Sequence, residues 1–201
     1  VDASLPRLLA QLTAQGPALE AVSRVDHPVD PEDAAADGQL VIDPAERAAE
    51  GGDALLAVHA AFERRHLGDG LPFVPPTAPR LQAMRAWCPF DLDEVLFEDI
   101  GPSGTPMRVR EVLIAAVMAG CPPPAFPVLL SAMRAIGRPA YGLRQAVTTS
   151  FSGGHYTLAS GPIARQAGVH GGQGCLGPGF RANASIGRAI NLALINVCRS
   201  V

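Results

Sequence analysis

Gly171-Gly-Gln-Gly-Cys-Leu-Gly-Pro-Gly179 runs through Phe180 into Arg181-Ala-Asn-Ala-Ser-Ile-Gly-Arg188, and from there into an apolar stretch that ends at Cys198. Bare glycine backbone followed by a polar entry predicts a loop leading into a helix. Ile186, Ile190, Leu194 and Val197 recur at helical spacing and define its buried face. Asn183 or Ser185 is the expected cap, since short polar side chains satisfy the free N–H groups of a first turn. Such a loop-to-helix junction offers N–H donors and the positive end of a dipole to an anion. Arg165, Arg181 and Arg188 flank it, and guanidinium forks match carboxylate, sulfate or phosphate. An anion-facing wall is therefore expected here.

Reading outward, Gln145 to Thr149 and Tyr156 to Ala159 have the composition of strands, and Ala125 to Ile136 that of a helix stopped by Gly137. Val109, Val112, Leu113, Ala116 and Val117 predict a strongly amphipathic helix ending at Gly120. Before it, Leu92 to Ile100 reads as a strand and Gly101 to Pro106 as a turn. Thr77 is placed to cap a helix from Ala78 to Trp87. Gly68-Asp-Gly-Leu-Pro-Phe-Val-Pro-Pro-Thr77 cannot be helical, because its prolines hold it extended. Helices alternating with strands indicate an α/β domain: a small sheet of three or four strands layered with helices, and a Gly-rich loop leading into the C-terminal helix.

Asp43-Pro44 starts a helix, interrupted at Gly51-Gly52, that reaches about Leu67. Its second part aligns His59, Glu63 and His66 on one face, a weak metal-ligand spacing with no further cluster to complete it, so no metal is expected. Gln39 to Asp43 suggests a short strand. Leu5 to Gln15 reads as a short amphipathic helix, and Ser23 to Gln39 as an acidic, irregular segment. The expected organisation is residues 1–40 as an N-terminal helix and irregular acidic segment, and 41–201 as a single α/β domain.

Hydrophobic residues make up 48% of the 201 and charged residues 17%, which describes a folded chain with room for one core. A net charge of -3 offers no argument for nucleic acid or an anionic membrane. No apolar run reaches the roughly 18 residues of a membrane span, and no basic-then-apolar leader pattern opens the sequence. A soluble cytoplasmic protein is expected. The chain contains no lysine, which excludes Schiff-base chemistry and the usual phosphate-loop lysine within it. Cys88, Cys121, Cys175 and Cys198 are too far apart in sequence for a zinc ribbon.

Three stretches carry a resemblance. They are Gly68-Asp-Gly-Leu-Pro-Phe-Val-Pro-Pro-Thr77, then Ala116-Val-Met-Ala-Gly-Cys121 leading to Phe126-Pro-Val128, then Gly161-Pro-Ile163 with Gly177-Pro-Gly-Phe-Arg-Ala-Asn-Ala-Ser-Ile-Gly-Arg188. In order and spacing the chain resembles the bacterial UGSC-like domain family from about residue 55 onward. The Cys-Gly-Ser-Cys motif carried by some members is missing here, so a thiol-redox function does not transfer. Where relatives often show Val-Glu-Lys, this chain has Val109-Arg110-Glu111. Ser160 stands where they commonly have Asn, and Val169-His170 where they have Ile-Asn. The resemblance implies that these positions touch a ligand.

Among other chemistries, Gly172-Gln-Gly-Cys-Leu-Gly177 fits GxGxxG in letters only. A dinucleotide site needs a strand before it, a helix at once after it and an acidic residue about 20 positions on. Pro178 interrupts, and the distant position is Val197. His155 and His170 are the acid/base groups of the C-terminal stretch, and Asp69, between two glycines, is a candidate carboxylate. Cys175 is a candidate nucleophile. Cys121 is less suited, since a helix C-terminus disfavours a thiolate.

The expected function is a small-molecule enzyme, or one subunit of one, in bacterial metabolism, natural-product pathways included. It would run cofactor-independent acid/base elimination or cyclisation on an anionic sulfate, phosphate or carboxylate ester. His155, His170 and Asp69 are the expected catalytic residues. Ser160, Arg165, Cys175, Arg181, Asn183 and Arg188 are the expected substrate contacts. Two alternatives stand beside it: a non-catalytic partner completing the site of a related chain, and a thiol enzyme using Cys175. A second protein subunit, hetero- or homo-oligomeric, is expected as partner, with no nucleic acid and no membrane.

Overall fold

The computed structural model describes residues 18–19, 40–41, 44–98, 104–148, 154–177 and 179–198. The expected helix from Leu5 to Gln15 and the acidic segment from Ser23 to Gln39 lie outside these. Strands β1 (Ala18–Leu19) and β2 (Leu40–Val41) pair antiparallel, Ala18 opposite Val41. Helix α1 (Pro44–Ala49) ends at the two glycines, and α2 (Ala54–Arg64) restarts behind Asp53. The Asp53 carboxylate caps α2 by accepting the N–H of Leu55 at 2.8 Å. Helix α3 (Ala78–Arg85) has Thr77 at its cap position, but the Thr77 hydroxyl is taken up by Arg80 at 3.2 Å instead of by the first turn.

Strand β3 (Val95–Phe97) is much shorter than the sequence suggests, and pairs antiparallel with β4 (Met107–Arg108) across an irregular register. Chain order continues with α4 (Val109–Met118), the short 3-10 turn Pro123–Ala125, α5 (Phe126–Ile136), the 3-10 turn Pro139–Tyr141, α6 (Leu143–Thr148), α7 (Pro162–Gln166) and α8 (Arg181–Ala193). A π-turn, Leu194–Cys198, closes α8. The described residues are thus mostly helical with small two-stranded antiparallel sheets, broadly compatible with the α/β class. The expected sheet of three or four strands is not found among them.

Helix α4 is the centre of the core. Val109, Val112 and Ala116 are fully buried and Ala115, Met118, Leu113 and Val117 nearly so. Beyond Arg110 and Glu111 in its first turn, the helix is apolar from Val112 to Met118, and so wide an apolar surface needs neighbours on several sides. Its principal neighbour is α8, with α3 and α5 also against it. Ala115 and Ala116 on α4 and Ala182, Ala189 and Ala193 on α8 are all buried, and such small side chains let two helices pack closely. Ile186, Ile190, Leu194 and Val197 are buried as their spacing requires.

Three local expectations are corrected. Gln145 to Thr148 belongs to helix α6, not to a strand. Leu143 is buried and Val147 packs against the core four residues later, so helical spacing wins over the β preference of valine. Tyr156 to Ala159 has no strand partner among the described residues and stays irregular, with Tyr156 73% and Leu158 84% exposed. Neither Asn183 nor Ser185 caps α8: Phe180 holds the cap position without a side-chain bond, and Ser185 is buried within the helix.

Gly137, after α5, is required by space. A Cβ there would come within 2.2 Å of the Phe97 ring of β3. This contact seats the small sheet on α5.

Candidate functional site

Asn183, in the first turn of α8, organises the glycine loop. Its Oδ1 accepts the His170 N–H at 2.9 Å, and its Nδ2 donates to the carbonyls of His170 and Cys175, each at 2.9 Å. The side-chain amide acts as a peptide mimic that ties both ends of the 170–175 turn to the helix. The His170 ring stacks on Phe180 at 3.7 Å and 11°, and its Nε2 lies 3.1 Å from the Gln173 carbonyl. With the loop held in this way, Cys175 is half-buried and borders a cleft.

That cleft has a volume of about 200 Å³. One wall is the irregular segment through His155, Tyr156, Thr157 and Ala159; the other is Cys175 to Gly177 and the face of α8 at Asn183, Ala184, Ile186 and Gly187. Val128 of α5 and Val169 complete the lining. Leu176, 78% exposed, and Tyr156 stand at its mouth. The lining is mostly apolar. His155, Tyr156 and Cys175 are its titratable side chains, and among the described residues no arginine or carboxylate lines it.

His155 is held from outside the cleft. The Tyr141 hydroxyl lies 2.7 Å from its Nδ1, with the rings tilted at 32° and 5.8 Å apart. Burial pulls the His155 pKa below the ordinary histidine range, because a half-desolvated imidazolium loses hydration.

The remaining sequence-predicted residues lie elsewhere. Asp69 and Arg188 satisfy each other in a two-pronged ion pair, Nε to Oδ2 at 2.7 Å and Nη2 to Oδ1 at 2.9 Å. Arg188 also donates to the carbonyls of Leu71 at 3.2 Å and Pro72 at 2.9 Å. The guanidinium beside Asp69 holds its carboxyl below the usual carboxylate range. This pair fastens the Gly68 to Thr77 stretch onto α8. Asn196 of the π-turn fastens the same stretch by accepting the Gly68 N–H at 2.8 Å. Arg181 donates from Nε to the Gly120 carbonyl at 2.8 Å, closing the end of α4. Arg165 is exposed on α7, and Ser160 is exposed just before it. Of the nine residues singled out from the sequence, the structure thus brings His155, Cys175 and Asn183 to one cleft.

Cys121 is buried, and its thiol is pushed up to about 11 by that burial. Arg110 pairs with Asp93, and Glu111 accepts the Arg108 N–H at 3.0 Å at the start of α4, so both face the β3–β4 side. His59 is engaged at Nε2 with the Phe73 carbonyl at 3.0 Å. Among the described residues no group of three or more His, Cys, Asp or Glu could hold a metal ion. No helix among them is long and apolar enough to cross a membrane. Comparison with protein-family models, curated proteins and solved structures finds no match.

Sequence reasoning missed Tyr141, Thr157 and Asn196. Tyr141 carried a weak signal, since Pro139 and Gly142 around it mark a turn that presents a side chain. Asn196 carried none, lying in what reads as a continuous apolar run.

Proposed function

We propose that this chain is a subunit of a small-molecule enzyme that uses His155 for acid–base chemistry in the cleft between the 154–160 segment and α8. The reading is carried by one observation: a histidine held at Nδ1 borders an apolar cleft of about 200 Å³ beside Cys175 and Thr157. Small-molecule sites combine apolar lining with a few placed polar groups. Sequence resemblance to the UGSC-like domain family supports a role in bacterial, cytoplasmic metabolism. We read the fold as α/β, its helices layered on the small β3–β4 sheet, with α5 against β3.

The reaction best suited to this lining is cofactor-independent elimination or cyclisation, in which His155 exchanges a proton with the reacting group. A neutral imidazole is matched to such transfer near pH 7. An anionic leaving group also needs a cation, and Arg181 and Arg188 have structural partners away from the cleft. In this reading a second subunit adds that cation and tightens binding, while His155 and the cleft amides of this chain make the first contacts with the anion.

Exposure of Tyr156 and Leu176 at the cleft, and of Leu158 on the same 154–160 segment, favours the partner arrangement, since a neighbour covering the cleft mouth would also exclude water from His155. The chain would then complete a site shared with a related or identical subunit.

Titration of the chain with sulfate, phosphate and acetate, followed by NMR, tests the ligand class. Saturable shifts of the His155 imidazole and the Thr157 and Cys175 amides are expected. Shifts confined to exposed arginines such as Arg165, or none at all, overturn the reading.

A further inference from the structure

We propose that Tyr141 is a positioning residue for His155: its hydroxyl donates to Nδ1, fixes the neutral imidazole as the Nε2–H tautomer and leaves Nε2 as the ring nitrogen offered to a bound molecule. The distance of 2.7 Å is that of a well-made hydrogen bond. A phenol O–H is a stronger acid than the N–H of a neutral imidazole, so the bond runs from oxygen to nitrogen. A carboxylate at the same place would impose the opposite tautomer, since it can only accept.

The two partners are held very differently. Tyr141 stands on a rigid turn. Its N–H donates to Arg138 at 2.9 Å, that of Gly142 donates to Pro139 at 3.2 Å, and Gly142 takes φ 68°, which a side chain would resist. Residues 154–160 have no regular secondary structure, and make no backbone–backbone hydrogen bond among the described residues. The tyrosine hydroxyl is therefore what orients the histidine. Around His155, the cleft lining presents Tyr156 and Cys175 as its other titratable side chains and, among the described residues, no arginine or carboxylate, which leaves the Tyr141 hydroxyl as the hydrogen-bond partner of the ring.

The consequence deepens the acid–base reading above and, for its mechanistic use, rests on it. Neutral His155 meets a ligand as an Nε2–H hydrogen-bond donor to an oxygen that gains negative charge. It passes that proton on as the imidazolium, after Nδ1 has taken up a proton, and the ring is then left protonated at Nδ1 against Tyr141. When the ring takes up a second proton, Nδ1–H donates to the same hydroxyl, which turns to accept, so Tyr141 serves both states.

Long-range ¹H–¹⁵N NMR of the histidine rings tests this without a substrate, with His155→Gln used to assign the signals. At neutral pH the wild-type chain is expected to show Nε2 protonated and Nδ1 bare. Tyr141→Phe, with an otherwise native amide spectrum, is expected to move both nitrogens toward the averaged shifts of a tautomer mixture. A wild-type ring protonated at Nδ1, or nitrogen shifts unchanged in Tyr141→Phe, overturns the proposal. The sulfate, phosphate and acetate titration separates the two readings: silence at His155 there, with the Nε2–H tautomer present, removes the acid–base function and leaves the tautomer assignment standing.

Discussion

Replacing Arg188 with alanine should destabilise the fold by about 3 kcal/mol, because the guanidinium works as a clamp. The structure gives it two bonds to the Asp69 carboxylate and two to backbone carbonyls, and the two side chains are only 25% and 16% exposed. Charge-assisted bonds contribute roughly 1.5–3 kcal/mol and neutral ones about 1, but part of this is recovered as water reaches the freed groups. For a chain of this size the loss corresponds to a fall of roughly 6–12 °C in melting temperature. Equilibrium urea unfolding of wild type, Arg188→Ala, Asp69→Asn and the double variant forms a cycle, and a coupling of about 1.5–3 kcal/mol is expected. The pair also sets an acid dependence. The Asp69 pKa is lowered from 3.8, so the unfolded chain binds the proton first as pH falls. The stabilisation is complete above the unfolded value, drains away as pH drops through the folded one, and is missing in Asp69→Asn. Singly additive effects, or an Arg188→Ala variant within about 0.5 kcal/mol of wild type, would refute the clamp and return both residues to consideration as ligand contacts.

Three further outcomes follow from the same geometry. Asn183→Ala removes three hydrogen bonds and strands loop carbonyls and an N–H, so a loss of about 2 kcal/mol is expected, with hydrogen exchange of the His170 amide rising well beyond that of α4. Gly137→Ala drives a methyl into the Phe97 ring and should cost about 1–3 kcal/mol by urea unfolding, an effect that Phe97→Ala in the same chain should blunt. In brief alkylation at pH 7 with iodoacetamide, peptide mass mapping should find Cys175 modified before Cys121, whose buried thiol stays protonated until about 11.

Helix existence was legible wherever apolar spacing was long and regular. Val109 to Val117 and Ile186 to Val197 each announce a buried stripe, and those two stripes became the central helix pair. The glycines and prolines marked their stops and the non-helical 68–77 stretch correctly, because backbone dihedral limits are local. Strands were less legible. A run such as Tyr156 to Ala159 has strand composition, yet becomes a strand only if a partner edge lies beside it, which is a tertiary fact. Val147 shows the converse, where packing against the core overrode an intrinsic preference.

Sequence alone also located the neighbourhood of the cleft, since His155, Cys175 and Asn183 all lie in the C-terminal fifty residues. It could not assign their work. Arg188 and Asp69 have the chemistry of a substrate site, but pairing across 119 residues turned them into a clamp. Asn183 resembles a ligand donor, and its amide is spent on its own loop. Tyr141 and His155 meet only because a 3-10 turn and an irregular segment are packed side by side. Composition and periodicity determine which local structures a chain can form and which groups it owns. Which of those groups remain available for a ligand is decided when long-range packing pairs the rest, and in this protein that pairing leaves His155, with Nε2 toward no protein partner among the described residues, at the edge of an apolar cleft.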